Sequence, residues 1–199
     1  MMILGITGCP GSGKSMLTGI LVQREWILID ADELGREVVE LNPDVLDELK
    51  KTFGSDIINP EGRLDRRLLA VRAFAKPENT KLLNDIVHPR LIRRLKERIE
   101  DEKERNTNSV VDCALIFEWE IEKLFDLVVC VSAYENFRKK RLMARDNRSQ
   151  SEIENLFAAQ LPEYEKMRKA DIVIKNNNSV EKLKKIGMLL ADLPRYYSE

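Results

Sequence analysis

The sequence predicts an α/β fold of three layers built on a parallel sheet, with a helical block inserted into it. Three observations predict this. Short apolar runs of strand type alternate with stretches of helical period; the first apolar run passes directly into a glycine-rich segment ending Gly-Lys-Ser; and helical periodicity dominates from about residue 36 to 105. With 199 residues, 43% hydrophobic and 34% charged, the chain can bury a core beneath a solvated surface, which excludes a disordered tail or a disulfide scaffold.

Taken in order, Met2 to Thr7 reads as the first strand and Met16 to Gln23 as a helix with Leu17, Ile20 and Leu21 on its apolar face. Trp26 to Ile29 is a second apolar run, stopping at Asp30-Ala31-Asp32. Helical stripes follow at Val45, Leu46, Leu49 and Phe53, at Leu68, Leu69, Val71 and Phe74, and along a charged helix from about Pro77 to Arg105. Gly54 and Asn59-Pro60-Glu61-Gly62 mark turns, and Pro89 is expected to break or kink the long helix. Strand-like runs return at Val110 to Phe117 and Leu127 to Val131. A basic helical stretch over 138–148, a second helix to about Lys169, a strand from Asp171 to Ile174 and an amphipathic helix from Ser179 complete the chain.

Composition narrows the class. Thirty-three Lys and Arg against thirty-four Asp and Glu leave a net charge of −1, which argues against a nucleic-acid partner recruited by bulk charge. No apolar run reaches the roughly 18 residues of a membrane span, so no membrane partner is expected. The N-terminus lacks the basic and long apolar regions of a signal peptide. Cys9, Cys113 and Cys130 are odd in number and without metal-like spacing. These features predict a cytoplasmic protein.

Gly8-x4-Gly13-Lys14-Ser15 matches the phosphate-binding P-loop in full, between a strand and a helix as the motif requires. The glycines let the backbone curl so that successive N–H groups converge on phosphate oxygens, and the helix N-terminus adds positive potential. Lys14 is suited to the β/γ-phosphates and the Ser15 hydroxyl to Mg²⁺. Gly8, Gly11, Ser12, Gly13, Lys14 and Ser15, with Met16 next in line, are the expected contacts of ATP. The base-reading Asn-Lys-x-Asp of a GTPase is missing, and the chain is short for a motor ATPase, which leaves a small kinase.

Three further features fit a kinase. Asp30-Ala31-Asp32 ends the second strand at the edge where sites collect, so Asp32 is either a base toward an attacking hydroxyl or the N-cap of the following helix. Ser109-Val110-Val111-Asp112 resembles a Walker B strand, while Glu118 is equally readable as a surface acid. Between 138 and 148 six residues are basic (Arg138, Lys139, Lys140, Arg141, Arg145 and Arg148) and one is acidic. Such a run is a solvated face or a nucleic-acid patch in isolation, and beside a P-loop it reads as a lid supplying arginines to the transferring phosphoryl group. His88, the only histidine, reads as structural.

The ordered set of motifs resembles the dephospho-coenzyme A kinase family almost end to end. It comprises Gly5-Ile6-Thr7-Gly8 with Gly11 to Ser15, Ile29 to Asp32, Gly62-Arg63-Leu64-Asp65-Arg66, Leu83 to Pro89, Leu115-Ile116-Phe117-Glu118, Arg141 to Asp146, Gln160, and Ala170 to Ile174 before Asn176. The resemblance implies a nucleotide-binding core of 1–35, 106–137 and 170–199, a helical acceptor domain over 36–105 and a lid over 138–169. It implies transfer of the ATP γ-phosphoryl to the ribose 3′-hydroxyl of dephospho-coenzyme A, with Mg²⁺, by a monomer or weak homo-oligomer. Asp32 would be the base, Lys14 and Arg141 would serve the phosphates, and Asn176 would lie near the adenine. Cys9-Pro10 replaces the family's usual Gly-Ile, Ala114 its proline and Arg138 its common glutamine, the last bearing on lid contacts. Another small-molecule kinase is the main alternative, although the Asp-Gly-Phe-Pro-Arg of nucleoside monophosphate kinases is missing. A P-loop switch or nucleic-acid ATPase is the other.

Overall fold

Every residue of β1 (Ile3–Thr7) is buried, as an uninterrupted apolar run requires at the centre of a sheet covered on both faces. The protein is described here from a computed structural model covering residues 1–146, 149–177 and 179–196. β1 is joined by β2 (Ile27–Asp30), β3 (Ser109–Asp112), β4 (Leu127–Ser132) and β5 (Ile172–Lys175) in one sheet of order β2-β3-β1-β4-β5, all parallel. Alternation along β1 divides the two faces. Leu4 and Ile6 join a core with Leu17 and Leu21 of α1 (Lys14–Val22) and Leu183 and Leu190 of α9 (Val180–Asp192). On the opposite face Gly5 lies so close to Phe125 and Ile116 that a Cβ would stand 2.7 Å from the Phe125 ring.

The remaining helices are α2 (Ala31–Leu41), α3 (Pro43–Phe53), α4 (Arg66–Ala73), α5 (Pro77–Glu104), α6 (Glu135–Asp146), α7 (Gln150–Ala158) and α8 (Glu163–Lys169). The chain divides into two compact units, Met1–Asp30 with Ile99–Glu199, and Ala31–Arg98. The second has its own core of Val38, Val39, Val45, Leu49, Phe53, Ile57, Leu69 and Ala73. Asp65 caps α4 by accepting the Leu68 N–H at 2.9 Å.

Two expectations are corrected, and the one on Pro89 is narrowed. Pro89 does not break α5, which continues through it. Pro89 lacks the N–H that would reach the carbonyl four residues back, that of Asp85, and beside it the Ile86 carbonyl accepts Arg90 Nη1 at 2.8 Å. The strand-like run Val110 to Phe117 pairs only as far as Asp112, because its apolar remainder is a buried turn in which Ile116 and Phe117 pack as side chains without a ladder. The single helix expected up to Lys169 is two, since Pro162 has no N–H and disfavours helix at Leu161. α7 opens on a capping box between Ser149 and Glu152.

Candidate active site

The segment Gly8–Ser15 connects the central strand to α1, so the opening turn of that helix directs its N–H groups toward the loop. Ser12 N–H donates to the Cys9 carbonyl at 3.1 Å, closing a turn inside it. Gly11 (φ +76°) and Gly13 (φ +104°) hold left-handed backbone, and neither has room for a side chain. A Cβ on Gly11 would stand 2.7 Å from the Arg138 carbonyl oxygen, and one on Gly13 would collide with Asn176 Nδ2. Lys14 Nζ bends back over its own loop to donate to the Gly8 carbonyl at 3.0 Å. Ser15 lies in the first turn of α1, followed by the exposed Met16.

Two of the expected residues close on this loop from elsewhere in the chain. Arg141 Nη1 donates to the carbonyls of Gly11 (3.1 Å) and Ser12 (3.2 Å), and its Nη2 donates to the Asn176 carbonyl at 2.9 Å. Asn176 Nδ2 donates to the Ser12 carbonyl at 2.8 Å, while its own N–H is held by the Ser132 carbonyl at 2.7 Å. A peptide unit is planar and trans, so fixing the Ser12 carbonyl on one side fixes the Gly13 N–H on the other. The bracing of carbonyls thereby orients the amide that a phosphate oxygen would use.

The sheet brings two carboxylate residues to the same edge. Register pairs Ile6 with Asp112 and Asp112 with Asp30, so β3, beside the strand that feeds the loop, and β2, one strand further out, both end in acids. This is the carboxyl edge at which open α/β sheets bind ligands. Asp32 lies exposed in the first turn of α2, which begins one residue earlier at Ala31, so the position before the helix is Asp30. The Ser15 hydroxyl and the Asp30 and Asp112 carboxylates are oxygen donors of the hard type Mg²⁺ prefers. No cluster of three potential ligands from Asp, Glu, His and Cys occurs among the described residues. Mg²⁺ bound with nucleotide phosphates needs only one or two protein ligands, so the donor set fits it.

The basic run is divided by its partners. Lys139 pairs with Glu135 at 2.7 Å and Arg145 with Asp146 at 2.7 Å, both on the solvent side. Arg138 is only 5% exposed: Nε donates to the Ala133 carbonyl at 3.0 Å and lies 3.5 Å from Glu163, with Phe157 stacked on the guanidinium at 4.4 Å. Arg148 lies outside the described residues. Glu118 is no surface acid, for its Oε1 meets Lys166 Nζ at 2.7 Å and the Leu161 N–H at 2.9 Å. Lys166 is a buried residue that the pattern of charges along the chain did not single out. Burial pushes the Cys9 thiol above its ordinary range, with Arg138 and Lys166 pulling it partly back, and burial pushes Cys130 up to about 12. Both shifts disfavour the thiolate. His88 is half-buried in α5 within the second unit.

A glycine loop ending Lys14-Ser15, on the central strand of a five-stranded parallel sheet whose next two strands on one side end in acids, defines a P-loop kinase. Comparison with known proteins narrows the class. The family model described as dephospho-CoA kinase matches residues 2–182. The dephospho-CoA kinase of Corynebacterium efficiens is 38% identical over 185 residues, covering 92% of each chain. That of Anaeromyxobacter dehalogenans is 38% identical over 97% of this chain and 92% of its own. Among solved structures, TT1252 from Thermus thermophilus superposes with a TM-score of 0.79 at 34% identity, covering 96% of this chain and 97% of its own. A shikimate kinase from Acinetobacter baumannii, at 14% identity and a TM-score of 0.51 over 100% of this chain and 95% of its own, shares the fold. The chain belongs to the dephospho-CoA kinase family.

Proposed function

We propose that this chain transfers the γ-phosphoryl group of ATP to the ribose 3′-hydroxyl of dephospho-coenzyme A, giving coenzyme A and ADP in the last step of coenzyme A synthesis. The observation that carries the proposal is the phosphate loop braced by Arg141 and Asn176, in a chain that matches one kinase family along nearly its whole length. In the transfer the 3′-oxygen forms a bond to the γ-phosphorus, the bond from that phosphorus to the β,γ-bridging oxygen breaks, and the hydroxyl proton passes to the Asp32 carboxylate. The loop amides from Gly8 to Ser15, with Met16 beside them, receive the phosphates, and Lys14 leaves its resting bond to Gly8 to neutralise β/γ-oxygens. Arg141 adds charge to the phosphates from the lid segment 138–169, and Asn176 lies by the adenine.

Mg²⁺, held through the Ser15 hydroxyl, would supply further charge neutralisation when bound with ATP. Residues 36–105 would serve as the acceptor domain, and 1–35, 106–137 and 170–199 as the nucleotide core. A cytoplasmic setting is supported by three buried cysteines held as thiols. No described helix is long and apolar enough to cross a membrane. The proposal includes a monomer or weak homo-oligomer.

The test is acceptor choice. ADP release with Mg·ATP is measured for dephospho-coenzyme A, AMP, CMP, pantothenate and no acceptor. Turnover confined to dephospho-coenzyme A is expected; turnover with AMP or CMP instead would overturn the substrate assignment.

A further inference from the structure

Lys166 heads the largest side chains that are fully buried among the described residues. A lysine is almost never buried unless paired, and this one is saturated. Its three donors go to the Ala114 carbonyl at 2.5 Å, Glu118 Oε1 at 2.7 Å and Gln160 Oε1 at 3.1 Å. Two of these partners lead back to the phosphate loop. The Ala114 carbonyl also accepts Thr7 Oγ1 at 3.0 Å, and Thr7 immediately precedes Gly8. Glu118 Oε1 also accepts the Leu161 N–H, and the Leu161 carbonyl lies 4.0 Å from the sulfur of Cys9, inside the loop.

A second buried charge does the same at the other end of the segment. Arg138 pairs with Glu163, whose Oε1 accepts the Ala133 N–H at 3.2 Å, and the Arg138 backbone abuts Gly11. α6 thus leaves the body of the unit, and the corner after α7 rejoins it, beside the phosphate loop, each root pinned by an ion pair, with Arg141 one turn past the first root. Burying an ion pair is a poor route to stability, since apolar side chains of similar volume often do as well or better. What this pair supplies is a fixed direction at the corner between α7 and α8.

We infer that Glu118 and Lys166 are positioning residues for phosphoryl transfer, holding the Gln160–Leu161 corner against the phosphate loop beside α6 and so setting the placement of Arg141. The inference rests on the phosphotransferase reading above. The pair touches neither reacting atom; it acts through the corner and through Ala114. Loosening it leaves the binding surfaces in place while the charges around the transferring group lose their alignment, so the loss falls on kcat.

The experiment uses the full chain with the double substitution Glu118→Gln and Lys166→Met, which removes both charges at similar volume and avoids stranding either one. Cooperative thermal unfolding is checked first, then steady-state kinetics with Mg·ATP and dephospho-coenzyme A. The expected result is a kcat lowered at least about tenfold with both KM values within about threefold of the parent. Thr7→Val provides an independent reading, because it severs only the Thr7–Ala114 bond at nearly constant shape; its expected effect is a kcat about threefold lower. Parental kcat in both variants, or a loss confined to KM, overturns the positioning role while leaving the reaction intact. Lack of acceptor-dependent turnover in the parent itself overturns the reaction and the role together.

Discussion

Asn176 donates from Nδ2 to the Ser12 carbonyl at 2.8 Å, tying the exit of the last strand to a phosphate loop 164 residues earlier. Both residues are buried, so water cannot replace the bond if the amide is lost. Asn176→Ala should leave the Ser12 carbonyl to Arg141 alone and raise the KM for ATP by about tenfold, with a smaller change in the KM of the acceptor. Initial rates over a grid of both substrates check this.

Asp32 stands exposed in the first turn of α2. If its carboxylate takes the hydroxyl proton, Asp32→Asn should lower kcat by about 10²-fold or more. ATP affinity, read by equilibrium dialysis, should be unchanged. Parental turnover in Asp32→Asn would remove Asp32 from the chemistry.

Arg141 spends its Nη atoms on the carbonyls of Gly11, Ser12 and Asn176. Arg141→Ala therefore should disturb the loop and withdraw charge at once, lowering kcat/KM for ATP by about 10²-fold or more. Arg141→Lys restores the charge without the fork, and recovery should be partial. An effect confined to the acceptor KM would contradict the assignment.

His88 carries a stability prediction. Burial pushes its imidazole below the ordinary value, outweighing the upward pull of Asp85. The folded protein then binds this proton less readily than the unfolded chain, so stability is complete above about pH 6.5 and declines as pH falls, until the folded imidazole also protonates. Since His88 is the only histidine, His88→Gln should reduce the drop in urea midpoint between about pH 7.5 and about pH 5.5. An identical drop in the variant would contradict the prediction.

What could be read from the sequence was whatever is dictated locally. Glycines at fixed spacing before Lys14-Ser15 specify a loop because the backbone there admits nothing else, and the apolar run before them specifies a strand. Arg141 and Asn176 were legible as candidates, but not their attachment to the Gly11 and Ser12 carbonyls, which depends on segments far apart in the chain. Lys166 left no local trace: most of its α8 neighbours are charged, and its burial follows from Ala114, 52 residues away, and from Glu118. Arg138 counted as one more cation in a basic run, whereas Glu163 and Phe157 draw it inward. Pro162 carried a visible signal for the break between α7 and α8, outweighed in the sequence by the helical period on either side. The apolar run through Phe117 overstated β3 because burial in a turn and burial in a strand select the same residue types.

The central claim concerns where one phosphoryl group goes. ATP labelled in the γ-phosphate is incubated with the protein, Mg²⁺ and dephospho-coenzyme A, and the purified thiol product is treated with a 3′-nucleotidase. The account predicts label in the product and its complete release as phosphate by that enzyme. Label that stays out of dephospho-coenzyme A, or that enters it and resists the 3′-nucleotidase, would contradict it.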